Sequence, residues 1–476
     1  MNNELYFKRI TDISKMVRSK AISPTELTQL MLDRIDTLNP KLNAYISVMK
    51  DEALAQAREL EEEAARGHFR SPLHGVPISI KDVFDTKGHP TTGGSRVFKD
   101  WKSDKDATII RKLKEAGAVI IGKNNLHEFC WGGTNENLHY GPARNPWNPD
   151  KIPGGSSGGS AVAVAAGMAF GAIGTDTLGS VRLPSALCGS TAIKPTYGRV
   201  SRYGNMPMSW TFDHIGPMGR YVKDLALMLQ LISGHDRQDP TSSKEIVDVA
   251  FEDSLENLNG VVIGICREYF FDESADPEVI KLVEDAISVM ENLGATVKEI
   301  KIEGIDRAIQ SIFSIAVSEG YAFHKNIIDS HPELYGNGVR EHILDGKGVS
   351  AQEYIDAQRY RNLFTQRLLE TMEGVDILLT PTNIHPAFSI WSVPPENMAE
   401  AIWSLFRTPI GNFTGFPALS VPCGFVTEGL PVGLQLIGKP FTEKRILQIG
   451  DCFERVKPYA DQLAENKAYE NYSIPR

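Results

Sequence analysis

GGSSGGSAVAVAAGMAFGAIGTDTLGS, residues 154–180, is the stretch on which the reading of this chain turns. It starts with the composition of a tether and runs on into small and apolar residues that need burial. A linker separates modules, and this one leads straight into a core, so it is not slack chain. AFGAIGTD at 169–176 reads as a buried strand that ends in a turn.

The same texture extends to both sides. Upstream lie VPISIK at 76–81, a helical TIIRKLKEAGA at 108–118 and VIIGK at 119–123. Downstream come GVVIGIC at 260–266, a helix over 276–293, ATVKEI at 295–300, and a long helix over about 351–372. VDILLTPT (375–382), PALSVPCGF (417–425) and LPVGLQLIG (430–438) follow. Strands alternating with helices predict an α/β fold around a largely buried sheet. The first part is helical: Ser23-Pro24-Thr25-Glu26 is an N-cap with a capping-box glutamate, opening a helix to about Leu38, and a charge-rich helix runs from about Asp51 to Arg66. With no internal linker, residues 1–476 are read as a single domain. Its parts are a helical layer (1–70), a signature core (71–235), a more helical lobe (236–375) and a return to the sheet (376–460).

Composition excludes several classes. The chain is 42% hydrophobic and 23% charged, which suits a large core, and its net charge of −10 is spread without basic runs, which argues against nucleic-acid binding. The opening MNNELYFKRI lacks the apolar core of a signal peptide, and no run reaches the ~18 apolar residues of a membrane span, so a cytoplasmic protein is the expectation. Cys130, Cys188, Cys266, Cys423 and Cys452 are scattered without zinc spacing and read as reduced, buried thiols, with Cys188 nearest the chemistry argued below.

Three chemical readings of the glycine-serine stretch compete. A phosphate cradle needs either Lys-Ser/Thr after its last glycine or a strand before its first, and neither is present. A nucleophile elbow is met in letters by Gly155-Ser156-Ser157-Gly158-Gly159, with Asp376 and His385 as partners in the right order, but NPWNPDKIPGG with its prolines does not supply the strand. The third reading joins distant places. Ser180, at the turn after a strand, presents a hydroxyl beside backbone N–H groups, as acyl transfer requires. Lys81, at the end of VPISIK, carries an amine into a buried sheet, where desolvation lowers its pKa and lets it act as a base. A serine of the glycine loop can both give and accept a proton, and so relay between them.

Residues 154–201, with GVPISIKD upstream, resemble the amidase signature family of Ser-Ser-Lys amide hydrolases, and the likeness runs from about residue 10 to 455. The resemblance implies one large mixed sheet covered on both faces by helices, with Lys81 as base, Ser156 as bridging serine in a cis peptide, and Ser180 as acylated nucleophile. It further implies an oxyanion hole from the N–H groups of Thr177, Leu178, Gly179 and Ser180, with Asp176 and Arg182 as supports that read equally well as a structural ion pair. It implies no metal or nucleotide cofactor. The family usually has TDTGGS, whereas Leu178 replaces the first glycine here; if that position demanded positive φ, leucine would cost ~1–2 kcal/mol.

Trp131, Gly132 and Gly133 match a substrate-facing loop of the family, and Met208, Trp210 and Phe212 read as pocket candidates, against the plain alternative of core packing. The aromatic and methionine content points to a small, partly apolar carboxamide or anilide as substrate. KPTYGRVSRYG and ISGHDRQDPTSS are similar to the glutamine-hydrolysing component of the tRNA-dependent amidotransferase, the alternative function. Its charged grips on glutamine fall by eye at His342 and Ser404, with Arg340 and Arg407 nearby, and losing them would hold a zwitterion poorly. His127-Glu128 is not a zinc motif, because Trp131 stands where HExxH requires its second histidine; His74, His214 and His385 read as packing or surface residues. Partners are expected to be a small amide, with no nucleic acid and no membrane, and a homodimer is left open.

Overall fold

Apolar runs ended by glycine, proline or asparagine bury both faces of their strands, the pattern of a covered sheet. In the computed structural model, which describes residues 2–251, 253–394, 405–464, 468–470 and 472, such strands and two less buried edge strands, eleven in all among the described residues, join into one sheet. They are β1 (Tyr45–Val48), β2 (Pro77–Lys81), β3 (Val119–Asn124), β4 (Gly171–Asp176), β5 (Thr191–Lys194), β6 (His214–Gly219), β7 (Val262–Ile265), β8 (Thr296–Glu299), β9 (Ile377–Pro381), β10 (Ala418–Phe425) and β11 (Pro431–Gly438). Their spatial order is β1-β3-β2-β4-β6-β5-β10-β11-β9-β7-β8. The sheet is mixed: β2 runs parallel to β3 and β4, and β7 to β8 and β9, while the remaining pairs are antiparallel.

Helices flank the sheet. Ser23 caps helix Pro24–Leu42 in a reciprocal capping box with Glu26, as its sequence predicts. Helices Lys50–Ala65, Pro277–Asn292 and Ala351–Thr371 also match their sequence patterns. The segment 236–375, read as more helical, also supplies β7 and β8 to the sheet end, within GVVIGIC and ATVKEI. Among the described residues no helix is long and apolar enough to cross a membrane.

The fold positions the site through β2 and β4. Both are buried along their whole length, and being parallel neighbours they end at the same edge, where Lys81 and Asp176 are their last residues. The carboxyl ends of parallel strands are where such sheets place their ligands. Helix Gly158–Ala165, entirely buried, follows the glycine-serine loop. A Cβ at Gly159 would lie 2.5 Å from the Ala44 carbonyl oxygen and closer still to that of Asn125. Glycine is there for close backbone approach.

Candidate active site

Lys81 is fully buried, and no carboxylate pairs with it among the described residues. Its Nζ donates to Ser156 Oγ at 2.7 Å and to Thr175 Oγ1 at 2.8 Å. Burial pushes its pKa below the usual lysine value, opposed by Cys130 and more weakly by Asp213 and Asp176. Cys130 Sγ stands 3.6 Å from Thr175 Oγ1, so a thiol and two hydroxyls surround the amine. Ser156 follows a cis peptide bond from Gly155.

Ser180 lies at the floor of an apolar cleft, its carbonyl accepting from Ser157 N at 3.2 Å. Its hydroxyl makes no hydrogen bond to Ser156 or to any other group among the described residues, so the structure brings Lys81 and Ser156 into contact and leaves the Ser180 hydroxyl unjoined to them. Such contacts are often open until substrate is bound. The amide N–H groups of Leu178, Gly179 and Ser180 likewise have no protein acceptor among the described residues, which leaves them available to an oxyanion.

The turn is held from behind. Arg182, fully buried, donates to both oxygens of Asp176 at 2.9 and 3.0 Å, and further to the Thr408 carbonyl, Gln435 and Asn412. Burial works to raise the Asp176 pKa, but the Arg182 charge and hydrogen bonds outweigh it and hold the carboxyl below the usual carboxylate range. The Thr177 hydroxyl donates to Asp213 at 2.7 Å, and the same carboxyl accepts from Met208 N and Ser209 N, tying the turn to the loop that carries Met208. Thr408 Oγ1 donates to the Leu178 carbonyl at 2.5 Å.

The cleft is lined by Trp131, Gly132 and Gly133 as the sequence suggests, and by Cys130, Met208, Leu183 and Phe406. Its far side is Phe313, Ala316 and Val317 of helix Ile305–Ile328, with His342 of helix Asn337–Asp345. Trp210 is not among the lining residues: it is half exposed, with Arg202 4.9 Å above its ring. Phe212 is core, packed on Phe413. Arg340 and Arg407 do not line the cleft, Arg407 being turned to Asp272 and the Tyr269 carbonyl, and Ser404 lies outside the described residues.

Other candidates are occupied elsewhere. Asp376 caps Val262 N at 2.8 Å, and neither it nor His385 lines the cleft, so the elbow reading loses its partners. His74 and His214 are buried against the carbonyls of Leu60 and Phe212. Burial, with His342 and Lys81 nearby, pushes His127 down to about 3, so its imidazole is neutral near pH 7. Burial raises the Cys188 thiol, which donates to the Pro153 carbonyl. Thr175, Asp213 and Thr408 went unnoticed in the sequence. Only Thr175 left a trace there, a lone hydroxyl in a strand of apolar and glycine residues two positions from the turn.

The Amidase family profile matches residues 26–447. The A-subunit of the glutamyl-tRNA(Gln) amidotransferase of Geobacter metallireducens is 40% identical over 489 residues, spanning 97% of this chain and 99% of its own. Among solved structures, the corresponding glutamyl-tRNA(Gln) amidotransferase A-subunit of Thermotoga maritima is 34% identical with a TM-score of 0.80, covering 94% of this chain and 95% of that one. A bacterial aryl acylamidase of the amidase signature enzymes is 26% identical with a TM-score of 0.88, covering 98% and 99%.

Proposed function

The chain belongs to the amidase family and hydrolyses an amide C–N bond, and from that premise we propose that it works through an acyl-enzyme on Ser180. The observation that supports this most is the buried amine of Lys81, without a carboxylate partner among the described residues and hydrogen-bonded to Ser156. Neutral Lys81 takes a proton from Ser156 as Ser156 takes one from Ser180, and Ser180 Oγ forms a bond to the substrate carbonyl carbon. The N–H groups of Thr177, Leu178, Gly179 and Ser180 stabilise the oxyanion. The C–N bond then breaks, and the departing amine takes the proton back through Ser156. Water adds to the Ser180 ester, releases the acid and restores the hydroxyl. Asp176 and Arg182 touch no reacting atom in this scheme; they hold the turn.

For the substrate, two readings stand. The curated relatives, named as glutamyl-tRNA(Gln) amidotransferase components, support a glutamine-hydrolysing subunit that works with protein partners, and they back it better than they back a small-amide amidase. The second reading, a free-standing amidase for small, partly apolar carboxamides or anilides, is favoured by the cleft: among the described residues no Asp, Glu, Lys or Arg lines it to pair with a zwitterion. Turnover assays of glutamine and of an anilide series, with intact-mass detection of acylated Ser180, test both levels. Turnover in a Ser180→Ala or Lys81→Met variant at the wild-type rate refutes the mechanism, and ammonia release from glutamine at the best rate of the series decides for the amidotransferase reading.

A further inference from the structure

Leu178 replaces the glycine usual two residues before the serine of this turn, and the structure explains why it is tolerated. Positive φ is confined to Gly179, at +135°, and Leu178 is not among the residues with positive φ. A Cβ at Gly179 would overlap Thr408 Oγ1, whereas Leu178 meets that same hydroxyl through its carbonyl at 2.5 Å. The backbone is thus fixed by atoms that every residue possesses. The isobutyl group is left partly buried on the cleft wall, beside Trp131, Leu183, Met208 and Phe406 and two positions from the Ser180 hydroxyl.

We infer that Leu178 is a specificity-determining residue that closes the acyl side of the cleft, selecting short, uncharged apolar acyl groups and limiting their length. This rests on Ser180 being the acylated residue, and it takes the second of the two substrate readings. A glycine here would leave the wall open above the nucleophile; leucine fills it with an apolar surface. Every CH₂ of substrate packed against such a wall favours the transition state by about 4-fold, and one that does not fit loses as much or more.

The test is a series of p-nitroanilides from acetyl to octanoyl, with glutamine alongside, on wild type, Leu178→Ala and Leu178→Phe. Shortening the side chain is expected to raise the hexanoyl-to-butyryl ratio of kcat/KM by ~15-fold, two methylenes' worth, and Leu178→Phe to lower it. Opposite shifts in the two variants are not produced by a loosened or misfolded loop. A ratio unchanged in both variants, or glutamine preferred by wild type over every anilide, overturns the inference while acylated Ser180 is still seen by mass. Turnover with no acyl adduct on Ser180 in any protein sinks the nucleophile assignment and this inference with it.

Discussion

Replacing Arg182 by Met tests whether the turn is held by charge. Arg182 is fully buried and gives hydrogen bonds to Asp176, Asn412, Gln435 and the Thr408 carbonyl. Methionine fills much of the volume but leaves Asp176 with only Val181 N and Asn412 Nδ2 as donors, and no counter-charge in contact. Breaking a buried pair from one side costs ~3–5 kcal/mol, because a buried charge is left uncompensated. The pH dependence carries the sharper signature. In the wild type the folded-state pKa of Asp176 lies below its unfolded value, so its stabilisation is complete above the unfolded pKa and is lost as pH falls through the folded one. In the variant, burial is opposed only by the Lys194 charge and the Asn412 and Val181 N–H hydrogen bonds, and the folded pKa is expected to rise above the unfolded value. Stability then falls as pH rises between them. The gap between the two proteins is therefore widest near neutrality and narrows toward pH ~4. Urea unfolding from pH 4 to 8 measures it. A gap under ~1 kcal/mol at pH 7, or one that stays constant across the range, refutes the reasoning.

Lys81→Met is expected to lower kcat by ~10⁴-fold or more without lowering the unfolding midpoint, since it removes an amine whose burial is unfavourable; a destabilised variant would mean that Lys81 is chiefly structural. The proposed mechanism makes the neutral amine the active form, so kcat/KM is expected to fall as pH drops through the lowered Lys81 pKa. Cys130 raises that pKa, so Cys130→Ala moves the acid limb of the pH profile to lower pH, and a limb that stays in place assigns it to another group. Gly159→Ala forces a Cβ against the carbonyls of Ala44 and Asn125 and is expected to destabilise by ~1–3 kcal/mol, read from urea midpoints; a neutral effect would mean that the helix shifts freely.

What was legible in the sequence follows from how local its cause is. β2, β4, β7, β9, β10 and β11 are apolar runs with clear breakers, and each forms where its pattern lies. β6, HIGPMG, holds a proline and two glycines and offers no strand signal; it forms because β4 and β5 pair with it on either side. β1 is four residues between two helices, too short for a period to show. Lys81, Ser156 and Ser180 were visible as a charge at a strand end, a loop and a turn. Thr408 and Asn412 were not, because they reach the site from more than two hundred residues away by hydrogen bonds that no local pattern encodes. The same distance explains why Trp210 misled, since an aromatic residue in a loop reads alike whether it faces the cleft or Arg202.

The cleft is assembled from two parts of the chain under separate constraints. Its floor, from Cys130 to Leu183, carries Ser180 and its turn and is clamped by hydrogen bonds to β4 and β11, whereas its rim comes from helices Ile305–Ile328 and Asn337–Asp345. Substitutions at Phe313, Ala316, Val317 or His342 alter the shape offered to substrate without disturbing Lys81 or the turn. One scaffold can therefore diversify its clientele by redrawing the rim.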